Sequence, residues 1–240
     1  MIDINAAILY TSISPSSMRI LLPYIAAALT AMITVFYHSV LNKRYGDAKG
    51  MWIYFAAFFI LLEAVPVFLV FFIESEPLQV LVDLGVTVGN YRIGLVSVLI
   101  FLPIALIIGH IVSKTGEMIA WYPFSKQVCA RDISFAIYEV GYLLLYYTAW
   151  EFLYRGLLFF PLLKGIGFIP AMAVTTTLST LHHIGHPRSE IWGAFLGGVI
   201  FASIALVTRS IIYPILIHAM FGIVNDTFIY LRSYRKTSGR

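Results

Sequence analysis

Apolar positions run in blocks of about twenty residues, broken by short polar or turn-forming stretches, and blocks of that length predict membrane-spanning helices. About seven such blocks, within a range of six to eight, fall near Ile20–Leu41, Met51–Ile73, Ile93–Val112, Ile133–Leu163, Phe168–Gly185, Glu190–Val207 and Ser210–Leu231. The fourth exceeds what one crossing needs, so its start is expected at the interface or the helix strongly tilted. Residues 1–19 are mildly apolar, with a polar break at Thr11–Ser17, and are expected to lie along the interface. A basic loop follows the first block, and an acidic loop from Glu74 to Pro77 leads into a short amphipathic piece, Leu78–Val88. The longest polar stretch is 113–132, broken at Tyr122-Pro123. Lys164-Gly165-Ile166-Gly167 reads as a tight turn folding the fourth and fifth blocks into a hairpin. No repeat or separate soluble domain is visible. Residues 1–240 therefore read as one membrane-embedded, all-α domain, a polytopic transmembrane helical bundle.

Composition agrees and narrows the function. The chain is 60% hydrophobic and 12% charged, against about 25% charged in soluble domains. Strand-period alternation is missing, which argues against a transmembrane barrel. A single cysteine, Cys129, excludes an intramolecular disulfide and a cysteine-rich metal site. Met1-Ile2-Asp3-Ile4-Asn5 carries no basic segment, so no cleaved signal peptide is expected. No basic patch is interleaved with aromatics, so nucleic acid is not an expected partner and the net charge of +4 reads as topology. With seven spans, only Arg19, Arg92, Lys164 and Arg209 lie on one side. Eleven basic residues lie on the other, which predicts an outside N-terminus and a cytoplasmic C-terminus.

Three polar clusters interrupt the apolar blocks. Glu151 and Arg155, one helical turn apart, can pair on one face. Either charge alone in a bilayer would cost at least ~2.5–3.5 kcal/mol, so both should face protein or water. The second cluster is Leu181-His182-His183-Ile184-Gly185-His186-Pro187, and the third is His218 with Gly222, Asn225 and Asp226 on one helix face. A hairpin bent at Gly167 sets Glu151 and His183 each about 16 residues from the turn, at ~24 Å and so at one depth. A carboxylate with an imidazole can hold and deprotonate water. A second imidazole, or the Asn225 amide, can donate to a developing oxyanion. The same atoms suit a divalent metal such as zinc, so metal-free and metal-assisted hydrolysis both stay open. Glu63, near Pro66, reads as a kink partner, and Glu139 lies about a third of a turn off the Glu151 face. The chain has no His-Glu-x-x-His, no Gly-x-Gly-Asp and no Gly-x-Ser-x-Gly-like elbow, which disfavours zincin, presenilin-like and rhomboid-like chemistry.

These clusters resemble the CAAX-protease and bacteriocin-processing family, also called Abi. Its first motif, Glu-Glu-x-x-x-Arg, is matched by Trp150-Glu151-x-x-x-Arg155, and its second, Phe-x-x-x-His, loosely by Ser179-x-x-x-His183 or Leu178-x-x-x-His182. Its third, His-x-x-x-Asn/Asp, finds His218 but Gly222. The similarity covers about residues 78–230. A bacterial branch with a Trp-Glu-Phe first motif is closer, and its His-x-Gly-Lys-Pro-x-x-Glu resembles His183-Ile184-Gly185-His186-Pro187-Arg188-Ser189-Glu190, which favours His183 over His182.

The resemblance implies an intramembrane endopeptidase of a prokaryotic inner membrane. Its substrate would be a membrane-anchored protein cut near its C-terminal tail. Glu151 would be the base that activates water, Arg155 its orienter, and His183 and His218 the water-binding and oxyanion groups. His182, Glu190, Asn225 and Asp226 would support them. The reaction would need no cofactor, or a divalent metal. Trp150 and Gly222 depart from the family pattern, so a non-catalytic scaffold or immunity protein on the same fold is the alternative, with a proton-coupled transporter a third class.

Overall fold

The computed structural model describes residues 13–235. The expectations for the first twelve residues, and for the end of the basic tail, lie outside them. Among the described residues the chain forms ten helices and no strand. They are α1 (Pro15–Thr34), α2 (His38–Tyr45), α3 (Asp47–Ile73), α4 (Pro77–Asp83) and α5 (Tyr91–Val112), then α6 (Gly116–Trp121), α7 (132–166), α8 (Phe168–Leu181), α9 (Arg188–Thr208) and α10 (Ile212–Ser233). Local chemistry sets the starts. The Ser14 side chain accepts from Ser17 N–H before Pro15, and Asn90 accepts from Ile93 N–H. The Thr115 side chain likewise accepts from Met118 N–H.

Five helices, α1, α3, α5, α9 and α10, are long and apolar enough to cross a membrane. This is an integral membrane protein. The remaining two predicted blocks take other forms. Helix α8 ends at Leu181 and is shorter than a full crossing, and His182 to Pro187 form a turn rather than helix. Helix α7 is interrupted by two π-helical segments, Tyr142–Tyr147 and Phe152–Phe159. Every residue of the second is buried, so this half of α7 runs through the centre of the bundle. The first block also ends early: the chain breaks at 35–37 and restarts as α2. Gly167, at φ 82°, makes the α7–α8 turn in a backbone conformation that a side chain disfavours.

Loop contacts sort the bundle into two ends. Asp47 accepts from Ser125 Oγ and Gln127 N–H, Arg188 N–H donates to Glu117, and Arg232 donates to Ser113 and to the His110 carbonyl. These bonds gather the loops after α2, α5 and α8 with the end of α10. At the other end, Asn90 N–H donates to the Thr208 carbonyl and Ile211 N–H to that of Gly85. A side chain on Gly85 would meet the Phe160 ring, which places the end of α7 there as well.

Candidate active site

Glu151 lies in the four-residue α-helical segment between the two π segments of α7. It is fully buried, and Arg155, one turn on, is 2% exposed. Arg155 Nη1 donates to Glu151 Oε1 at 3.4 Å, and its Nε stands 3.2 Å from Oε2. His218 Nδ1 lies 2.6 Å from the same Oε1, so the ring donates its Nδ1–H to the carboxylate. That leaves His218 Nε2 as the free nitrogen. Removing either Glu151 or Arg155 from this buried pair would leave an uncompensated charge, a loss of about 3–5 kcal/mol.

A cavity of about 300 Å³ opens beside this group. His218, Gly222, Asn225 and Asp226 line it from α10, His183 from the turn after α8, and Glu190, Gly197 and Phe201 from α9. Phe101, Ile104 and Ile108 of α5 close its outer side, and only 11% of the apolar window of α5 is buried inside the bundle. One lipid-facing helix thus separates the cavity from the bilayer. Arg155 and Trp150 reach the lining, whereas Glu151 does not and lies behind His218, which does.

The turn after α8 carries a second carboxylate–imidazole group. Gly185, at φ 96°, lets the chain reverse within two residues of His183. His183 Nδ1 donates to the Ser179 carbonyl at 2.7 Å, so its Nε2 points elsewhere, 3.6 Å from Glu190 Oε1. His186 Nδ1 and Tyr122 Oη donate to that same oxygen at 2.9 and 2.7 Å. Burial, and then the Glu190 charge, hold the Tyr122 hydroxyl well above its usual pKa, so it remains a donor. Lys126 fixes this loop by donating to the carbonyls of Ile119, Tyr122 and Pro123 at 2.9, 2.6 and 3.1 Å. The Trp121 ring stacks on His186 with centroids 4.4 Å apart.

His182 is turned away. Its Nδ1 pairs with Tyr154 Oη at 3.1 Å, and its ring packs against Phe58 and Trp150, off the cavity lining. Asn225 donates to Asp226 Oδ1 at 3.1 Å, and Tyr138 donates to Asp226 Oδ2 at 2.6 Å. Both brace the far wall. Glu139 is buried with neither oxygen hydrogen-bonded. Glu63 lies in a third π segment, Ile60–Ala64, just before Pro66; π segments and prolines are the usual causes of helix kinks.

The two departures from the family pattern have structural counterparts. The Trp150 indole lies close to both histidines, its centroid 4.8 Å from His183 and 6.1 Å from His218. It also meets His182 at 4.9 Å, so this part of α7 and the histidine pair lie at one level. At Gly222, a Cβ would come within 1.6 Å of Tyr147 Oη. The space of the family's amide or acid is therefore filled by a hydroxyl from α7, whose ring lies 4.8 Å from His218. Tyr122, Tyr147 and the cavity-lining role of Trp150 were not legible as site features, because the chain has 15 tyrosines and aromatics are ordinary core residues. The Tyr122-Pro123 break was the one available signal.

Among the described residues no group of three or more His, Cys, Asp or Glu side chains is disposed to hold a metal ion. Residues 133–224 match the family model described as type II CAAX prenyl endopeptidase Rce1-like. Over that segment the chain is similar to CAAX-type endopeptidases. The Rce1-like segment spans well under half of the chain and is narrower than the 78–230 suggested by motifs alone. It runs from the start of α7 to the middle of α10 and contains Glu151, Arg155, His183, Glu190 and His218. Asn225 and Asp226 fall just beyond it. No curated protein and no solved structure matches the chain significantly.

Proposed function

We propose that the protein is an intramembrane endopeptidase that hydrolyses a peptide bond near the membrane-anchored C-terminal tail of a protein substrate. The observation that carries this reading is the 2.6 Å contact of the buried Glu151 with His218, which opens onto a cavity that His183 also lines. Arg155 fixes the Glu151 carboxylate. The carboxylate in turn stabilises positive charge on His218 through Nδ1–H, as in other acid–imidazole pairs. His218 can then offer Nε2–H to a carbonyl oxygen as it becomes an oxyanion, and His183, beside the same Trp150 ring, can position water. The cavity lies behind one lipid-facing helix, which suits an extended segment drawn from a membrane anchor. The set is consistent with hydrolysis by side chains alone. The bacterial inner membrane is the expected location.

The test is a survey of protein C-termini in cells expressing wild type, Glu151→Gln or no protein, with protein levels matched. Membrane-anchored tails cut by wild type and spared by Glu151→Gln support the reading. Tails cut equally by both would make Glu151 structural. No changed C-terminus would favour the non-catalytic scaffold, which Trp150 and Gly222 already suggest on sequence grounds.

A further inference from the structure

Glu190 has hydrogen-bonding capacity that its contacts do not use. Oε1 receives Tyr122 Oη and His186 Nδ1, while Oε2 is buried with no hydrogen-bond partner. Across from it, His183 donates Nδ1–H to a carbonyl oxygen, which can only accept. In the neutral ring Nε2 therefore presents a lone pair, and it does so 3.6 Å from the Glu190 carboxylate. Both side chains line the cavity, and no donor is seen between these two acceptors. A water molecule that donates one hydrogen to each satisfies both, and a buried water needs only two to four such partners. Its oxygen lone pairs then point into the cavity.

We propose that Glu190 Oε2 and His183 Nε2 together hold the hydrolytic water and that Glu190 takes its proton, making Glu190 a catalytic residue. The proposal rests on the endopeptidase reading and deepens it. The water O–H bond breaks, its proton passes to Oε2, and the water oxygen bonds to the scissile carbonyl carbon. The carbonyl π pair moves onto its oxygen, towards His218. When the C–N bond breaks, its electron pair stays on nitrogen, which takes the proton back from Glu190. Atoms and electrons balance without an oxidant or reductant. The two carboxylates then divide the work: Glu190 acts on the water, and Glu151 acts through His218 on the oxyanion.

The experiment adds Glu190→Gln and Glu190→Asp of the full chain to the same survey of C-termini, with thermal midpoints measured on the purified proteins. Glutamine keeps an acceptor for Tyr122 and His186 but cannot take a proton at this position. Cleavage should therefore fall at least about 100-fold, the usual contribution of a general base, with the midpoint little changed. Glu190→Asp should retain measurable cleavage. Wild-type cleavage in Glu190→Gln would overturn the proposal. If wild type itself cuts nothing, the endopeptidase reading falls, and a high-resolution experimental structure of the purified wild-type protein decides the water site separately. An ordered water within hydrogen-bond reach of Oε2 and Nε2 upholds it, and a direct Oε2–Nε2 hydrogen bond overturns it.

Discussion

Gly222 stands where it does because the Tyr147 hydroxyl needs its space. A Cβ there would meet Tyr147 Oη at 1.6 Å, a separation no rotamer change at position 222 can relieve. Gly222→Asn, although it restores the family's residue, should therefore abolish cleavage and lower stability by about 1–3 kcal/mol, as overpacking does. A thermal midpoint in detergent measures the loss. Adding Tyr147→Leu, which removes the hydroxyl, should recover most of it. A second contrast separates the paired histidines. His183 lines the cavity, whereas His182 is held by Tyr154, Phe58 and Trp150. His183→Gln should remove cleavage, and His182→Gln should leave most of it while lowering the midpoint; equal loss of cleavage in both would contradict this geometry. At this scale the polar set was legible, because ionisable groups within long apolar blocks are rare and conspicuous. What was not legible was how they pair. The sequence reading coupled Glu151 to the histidines as one group. The structure shows two, Glu151 with His218 and Glu190 with His183 and His186, which sequence spacing cannot separate.

Among the elements, α7 explains why helical spacing alone was insufficient. Hydrogen bonds from i to i+5 in Tyr142–Tyr147 and Phe152–Phe159 widen its turns, and π segments are frequent at functional sites. Residues on either side therefore drift relative to an ideal 3.6-residue period. Nothing in the apolar run announces this, since Leu, Tyr and Phe suit both geometries. The Glu151–Arg155 spacing survives because the pair straddles the junction. Helices α8 and α9 carry the second group, and their approach depends on Gly198, where a Cβ would stand 2.7 Å from Thr176 Cγ2 and 2.9 Å from its hydroxyl. Gly198→Val should push α9 from α8 and move Glu190 relative to His183. The expected result is at least a tenfold drop in cleavage together with a lower thermal midpoint. An unchanged cleavage rate would show that the α8–α9 spacing does not set the site. The hairpin at Gly167 was readable from its glycines, whereas the end of α8 at Leu181 was not, because histidines are compatible with a helix and the first firm breakers come only at Gly185 and Pro187.

For the whole molecule, the basic residues and the loop contacts describe the same two ends. Lys43, Arg44, Lys49, Lys114, Lys126, Arg131, Arg188 and Arg232 belong to loops or helix ends joined at one end by the Asp47, Glu117 and Arg232 contacts. Arg92 and Arg209 flank the backbone bonds that join the other end. The sequence reading reached this division through a count of seven spans. The structure reaches it through contacts, although among the described residues only five helices meet the length and hydropathy of a full crossing. An excess of Lys and Arg marks cytoplasmic loops, so we propose that the end holding Tyr122, His183 and Glu190 faces the cytoplasm. A reporter that fluoresces only in the cytoplasm should therefore give signal when fused after Arg240 and none when inserted at Gly89. The reverse pattern would invert the molecule and place the site in the outer half of the bilayer. With the predicted orientation, the water-holding group lies towards the cytoplasmic end of the cavity, so the bond cut in a membrane-anchored tail should lie in the cytoplasmic half of its span. Mapping the new C-termini of cleaved proteins against their anchors gives that position independently of the reporter.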